Sequence, residues 1–159
     1  MSIAIYPGSF DPITKGHLDV LKTGAEIFDK VIIAVSKNSS KSGFLSVEER
    51  VELIKASIKD LDNVEVDSFG GLTVEYAKLK GAKVILRGLR AVSDFEYEMQ
   101  LSQTNSALSQ DIKTVFLITK PKYNFISSST VKDIAILGGD ISKFVPEPVN
   151  EYLKQYIKD

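Results

Sequence analysis

The chain has 159 residues, of which 43% are hydrophobic and 26% charged, with a formal net charge of −1; this is enough apolar material for one average core, so a single domain over residues 1–159 is expected. A total charge so close to zero gives no pull toward nucleic acid or an anionic membrane, and any phosphate site must therefore be local. The absence of cysteine excludes disulfides, thiolate zinc sites, iron–sulfur clusters and a thiol nucleophile.

The amino-terminal stretch MSIAIYPGSF breaks at Pro7 and Gly8, too early for a signal-peptide core, and no segment reaches the ~18 uninterrupted apolar residues of a membrane span. A cytoplasmic protein without membrane or nucleic-acid partners is expected. In chain order, Ile3–Tyr6 is the first β-branched run. His17–Phe28 follows, with Leu18, Leu21, Ala25 and Phe28 at helical spacing. Val31–Val35 is a second strand, and the polar loop 36–45 after it is a candidate flap. Ser46 with Glu49 marks a capping box for a helix to about Lys59.

Val64–Val66, extending as far as Phe69, is a third strand. Thr73–Lys80 is a helix ended by Gly81, where a left-handed residue is expected. Val84–Leu86 and Val115–Ile118 are the fourth and fifth strands, with a helix over 93–108 between them. Helices over 128–137 and 148–158 complete the chain. The strands read as continuous apolar runs, the pattern of a parallel sheet buried on both faces. Five alternations of strand and helix predict an α/β, doubly wound, Rossmann-like domain with a five-stranded parallel sheet and a C-terminal helix. In such a sheet, ligands bind beyond the carboxyl ends of the strands.

Three segments at those ends carry chemistry. After the first strand comes Tyr6-Pro7-Gly8-Ser9-Phe10-Asp11-Pro12-Ile13-Thr14-Lys15-Gly16-His17, where a glycine permits close approach and a helix N-terminus can face an anion. The glycine spacing is neither the dinucleotide fingerprint nor a Walker loop. At the end of the fourth strand stand Arg87 and Arg90, two of only three arginines; guanidinium is a bidentate phosphate ligand. Ion pairs with Asp94, Glu96 or Glu98 are the competing explanation for them. After the fifth strand, Ser127-Ser128-Ser129-Thr130 opens a helix, with more hydroxyls than N-capping alone requires. Plain turns and caps would not gather all three segments at one edge of a sheet.

These residues resemble a known family. Thr14-Lys15-Gly16-His17 is similar to the TxGH signature of the nucleotidyltransferase α/β-phosphodiesterase superfamily, and Ile126-Ser127-Ser128-Ser129 to its ISS(S/T) partner. YPGSFDPITKGH together with RGLRAVSDFEYEMQ (87–100) resembles the bacterial phosphopantetheine adenylyltransferases over essentially the whole chain. The resemblance implies that Ser9 contacts both substrates and that Phe10 and His17 serve ATP, with His17 catalytic. It implies that Lys41, Thr73 and Arg87 hold 4′-phosphopantetheine. It also implies that Gly88, Leu89, Arg90, Glu98, Tyr123, Asn124, Phe125, Ile126, Ser127, Ser128 and Ser129 enclose the nucleotide. Lys132 stands where the broader superfamily carries arginine, so no triphosphate role is transferred to it.

A magnesium-dependent, reversible reaction, a homohexamer and inhibition by coenzyme A are further implications of the resemblance. The nucleophile would be a phosphate monoester with a second pKa near ~6, already anionic at neutral pH and in no need of a base. Catalysis then reduces to positioning and charge neutralisation, within reach of a chain that has one histidine. A nicotinamide-mononucleotide or cytidylyl transferase on the same scaffold, or a non-catalytic nucleotide-binding module, shares the two superfamily motifs.

Overall fold

The computed structural model describes residues 1–37 and 43–158. The strands are β1 (Ile3–Gly8), β2 (Lys30–Ser36), β3 (Val64–Phe69), β4 (Val84–Leu89) and β5 (Lys113–Ile118), and the helices are α1 (Lys15–Ile27), α2 (Val47–Ser57), α3 (Thr73–Leu79), α4 (Val92–Leu108), α5 (Ser128–Ile136) and α6 (Glu147–Lys158). The strands form one parallel sheet in the order β3-β2-β1-β4-β5. From β1 the chain winds outward through β2 and β3, then returns to the other side of β1 for β4 and β5. The order thus reverses between β1 and β4, which opens a crevice at their carboxyl ends. Among the described residues no helix is long and apolar enough to cross a membrane.

The expected strand cores all form, with ends one to three residues longer than periodicity alone marks. Residues of alternating parity enter two separate cores, because successive side chains of a strand point to opposite faces. Ala4, Tyr6, Ile33, Val35 and Leu86 pack with α1, α2, α5 and α6 on one face, while Ile5, Ile32, Ala34 and Ile85 pack with Val74, Tyr76 and Ala77 of α3 on the other. Burying an aliphatic side chain of this size contributes roughly 1.5–3 kcal/mol, so the central strands are the stable frame on which the loops rest.

Local signals set the helix ends. Ser46 and Glu49 form the capping box at α2, and Gly81 ends α3 with φ 71°, a conformation that only glycine adopts without a Cβ clash. The start of α1 differs from its sequence reading: it begins at Lys15 rather than His17, because Thr14 is its cap. A 3-10 turn at Pro121–Tyr123, which periodicity does not reveal, leads toward α5. Helix α4 also departs from an ordinary amphipathic helix. Phe95, Tyr97, Met99 and Leu108 are exposed on it, so core packing within the chain does not account for them.

Candidate active site

The loop that leaves β1 is held in an unusual shape. Phe10 has φ 47°, left-handed backbone that costs a non-glycine residue on the order of 1–3 kcal/mol and persists only where neighbours enforce it. Its ring is buried and meets Tyr6 edge-on at 5.2 Å and His17 edge-on at 5.0 Å between centroids. Ser9, the residue before Phe10, is exposed and lines the crevice.

His17 completes the first turn of α1 by an uncommon capping box. The Thr14 hydroxyl accepts from the His17 amide at 3.3 Å, and the Thr14 amide donates to His17 Nδ1 at 3.0 Å. Imidazole takes the place that glutamate or glutamine usually fills. An amide nitrogen can only donate, so Nδ1 must accept, and the proton of the neutral ring lies on Nε2. Burial, followed by the positive charges of Arg90 and Arg87, lowers the His17 pKa from 6.5 to about 3. At neutral pH His17 is therefore an uncharged imidazole with a fixed Nε2–H donor.

The two arginines of β4 and its end are ion-paired. Arg87 Nε and Nη2 donate to the two carboxylate oxygens of Glu98 at 2.5 and 2.9 Å, and Nη1 donates to the Pro7 carbonyl at 2.7 Å. A guanidinium has five N–H donors, so two remain for a ligand. Arg90 pairs with Asp94 at 3.2 Å and donates to the Ile126 carbonyl at 2.7 Å, which ties the end of β4 to the residue before the α5 cap. Between them Gly88 lets β4 approach α1; a Cβ there would stand 2.8 Å from a Val20 methyl.

At α5, the Ser127 hydroxyl accepts from the Thr130 amide at 3.2 Å, and the Ser128 hydroxyl donates to the Pro12 carbonyl at 2.8 Å. The serine run therefore does two structural jobs, a cap and a tie to the β1 loop. The amides of Ser128 and Ser129, first in their helix, have no intrahelical acceptor and are oriented for an anion.

Two adjoining cavities occupy the crevice. The first, about 350 Å³, is lined by Ser9, Phe10, His17, Gly88, Arg90 and Glu98, together with Ile126, Ser127, Ser128 and Ser129. The second, about 260 Å³, is lined by Ser9, Thr73, Arg87 and Glu98 among others. Ser9, Arg87 and Glu98 line both, so a ligand in one cavity adjoins a ligand in the other. Leu89, Tyr123, Asn124 and Phe125 are not on either wall, and the Phe125 ring is exposed, edge-on to Phe144 at 5.8 Å. Lys41 lies outside the described residues. Lys132 stands over the Phe44 ring, 6.0 Å from its centroid.

Sequence reasoning misses several residues at the site. Arg50 is buried beneath the β1 loop, where it approaches Asp11 at 3.4 Å and donates to the Leu45 carbonyl at 2.9 Å. Its position in the charged run Glu48-Glu49-Arg50 suggests a solvated face, and only its scarcity as a third arginine sets it apart. Asp19, also buried, accepts from the Lys120 amide at 3.0 Å and anchors the segment after β5 to α1. Tyr97, inside the 87–100 run but given no role by it, and Thr119, outside every motif, line the first cavity.

A parallel sheet with this reversal, a TxGH capping box and a hydroxyl-rich helix start at its crevice define a nucleotidyltransferase-type site, and residues 5–134 match the family described as cytidylyltransferase-like. The chain is 54% identical over 158 residues to the phosphopantetheine adenylyltransferase of Caldanaerobacter subterraneus subsp. tengcongensis, covering 99% of each chain. It is 56% identical over 149 residues to the phosphopantetheine adenylyltransferase of Lachnoclostridium phytofermentans, covering 94% of this chain and 91% of that one. A crystal structure from Vibrio parahaemolyticus, provisionally described as a nicotinate-nucleotide adenylyltransferase, superposes with a TM-score of 0.76 at 22% identity over 100% of this chain and 98% of the other; that likeness shows the fold. The chain belongs to the phosphopantetheine adenylyltransferase family.

Proposed function

We propose that this chain transfers the adenylyl group of ATP to 4′-phosphopantetheine, giving dephospho-coenzyme A and pyrophosphate on the route to coenzyme A. The observation that carries this reading is the pair of adjoining cavities that share Ser9 and Arg87, with a neutral imidazole donor on the wall of the larger one. The names of the close relatives supply the substrates.

In this reading an oxygen of the 4′-phosphate attacks the α-phosphorus of ATP, and the bond from that phosphorus to the β-phosphate oxygen breaks. No base is required, since the nucleophile is an anion at neutral pH. His17 donates from Nε2 to a non-bridging oxygen of the α-phosphate, where charge builds in the transition state. A donor fixed in advance by the Thr14 amide needs no reorganisation at that moment. Arg90 and the first amides of α5 hold the β- and γ-phosphates, while the unused N–H groups of Arg87 receive the incoming phosphate. Thr73, Ser9 and Lys41 complete the phosphopantetheine side, and Phe10, Gly88, Glu98 and Ile126–Ser129 the nucleotide side; Leu89, Tyr123, Asn124 and Phe125, which lie on neither cavity wall, are given no contact.

Among the described residues no three His, Cys, Asp or Glu side chains converge as a metal cage, so we assign magnesium to the phosphate oxygens of ATP, whose charge it would neutralise. A cytoplasmic homohexamer inhibited by coenzyme A, which shares the phosphopantetheine moiety, completes the reading. Exposed apolar side chains on α4 and at Ile118 support an assembly that covers them. Incubation of the protein with ATP, magnesium and phosphopantetheine tests the function: pyrophosphate must form, and only with all three present. Formation of pyrophosphate with nicotinamide mononucleotide in place of phosphopantetheine, or from CTP in place of ATP, would reassign the substrate.

A further inference from the structure

The β1 loop meets the segment 43–45 through one compact cluster. Both carboxylate oxygens of Asp11 accept backbone amides, from Phe44 at 2.7 Å and from Leu45 at 2.8 Å. Arg50, almost wholly buried, donates from Nε to the Leu45 carbonyl at 2.9 Å and from Nη1 to the Ser9 carbonyl at 3.4 Å, and its Nε lies 3.4 Å from Asp11 Oδ1. Gly43 passes so close to the guanidinium that a Cβ there would collide with Nη2. Arg50 projects from α2, whose first turn is fixed by its capping box and by the Glu49 carboxylate, which accepts from the Tyr152 hydroxyl of α6. The guanidinium is thus a rigid post on which two backbone carbonyls and one carboxylate are hung.

Ser9 and Asp11 are the two neighbours of Phe10, the residue with left-handed backbone whose ring lies against His17. We propose that Arg50 and Asp11 are a positioning pair for adenylyl transfer. They hold Phe10 in its left-handed conformation from both sides, so that its ring fixes the imidazole of His17 and the hydroxyl of Ser9 stays turned to the crevice. Neither residue needs to touch a substrate. A buried arginine whose donors are merely satisfied would hold the fold together; one that enforces backbone strain next to the imidazole also sets catalytic geometry, for which small misplacements cost large factors in rate. The inference rests on the adenylyl-transfer reading for its rate, and on His17 alone for its geometry.

Arg50→Lys and Arg50→Met test it, with Lys keeping charge and stem but lacking the planar fork that reaches several acceptors at once. Both are expected to lower kcat by about tenfold to a hundredfold while the calorimetric Kd for ATP stays within about threefold. His17 is the only histidine, so its ring Hε1 resonance is unambiguous, and it is expected to shift in either variant as the Phe10 ring moves. If Arg50→Met does not fold, Arg50→Lys decides. A folded Arg50→Lys that keeps kcat within about threefold of the parent would overturn the proposal, as would loss of turnover with the His17 resonance unmoved. If the parent protein shows no adenylyl transfer, the functional reading has failed separately; the His17 resonance then decides the geometric claim, and an unmoved resonance overturns it.

Discussion

The carboxylate of Glu98 grips the guanidinium of Arg87 through two hydrogen bonds, of 2.5 and 2.9 Å, on the wall that both cavities share. Arg87→Ala should therefore have two separable effects. With Arg87 in the proposed role, loss of a charged donor to a phosphate is typically worth ~1.5–3 kcal/mol, so KM for phosphopantetheine should rise roughly tenfold to over a hundredfold, with the Kd for ATP little changed. It also strands the buried Glu98 carboxylate, which lowers stability. Adding Glu98→Gln should restore much of the melting temperature and none of the phosphopantetheine affinity. Equal weakening toward both substrates would assign Arg87 to a shared or purely structural role.

His17→Ala should abolish turnover and leave ATP binding nearly intact, because the nucleotide would be held by many contacts while the transition state loses its one oriented imidazole donor. Removal of such a donor lowers kcat by about a hundredfold to a thousandfold. A variant that keeps more than about a tenth of the parent kcat removes the assignment. So does one that fails only because ATP no longer binds.

The lowered pKa of His17 makes a prediction on pH. The unfolded chain binds a proton at His17 below pH 6.5, whereas the folded chain does so only near 3. Unfolding therefore takes up a proton between these values, and stability falls as the pH drops through that window, by at most about 1.4 kcal/mol per pH unit from this group. Denaturant titrations between about pH 6 and pH 4.5, compared with His17→Gln, should show a weaker pH dependence in the variant. In the folded, ligand-free parent the His17 Hε1 resonance should not titrate between about pH 5 and pH 8. A midpoint near the ordinary histidine value would show that the ring is solvated and free to charge.

Gly88→Ala should destabilise the protein by about 1–3 kcal/mol, since the new methyl would meet a Val20 side chain 2.8 Å away and a β-branched residue in a helix has little rotamer freedom to yield. Adding Val20→Ala should recover part of the loss in thermal unfolding. Failure of the second change to help would mean that the strain lies in the strand itself.

Light scattering at micromolar concentration should give a mass about six times the chain mass of 17.5 kDa. A charge placed on the exposed apolar surface, as in Ile118→Glu, should lower that mass. A monomeric parent would remove the assembly from the functional reading.

Sequence by itself determined the elements and the edge of the sheet at which chemistry gathers. Continuous β-branched runs, the Ser46 and Glu49 box and Gly81 act over a few residues, and local geometry suffices to interpret them. It also brought out Ser9, His17, Arg87, Arg90 and the serine run as one candidate constellation, since doubly wound topology carries all strand ends to one side. Tertiary structure decided the rest. Only the meeting of the loop after β1 with α2 made Arg50 a buried post, within reach of Asp11 and the Ser9 carbonyl on either side of Phe10. Only the approach of α4 chose Glu98 rather than Glu96 for Arg87, and only its lie left Phe95 and Tyr97 outside the core. These outcomes depend on contacts between residues far apart in the chain, where one partner's energy is set by the other's position, and no local pattern records that position.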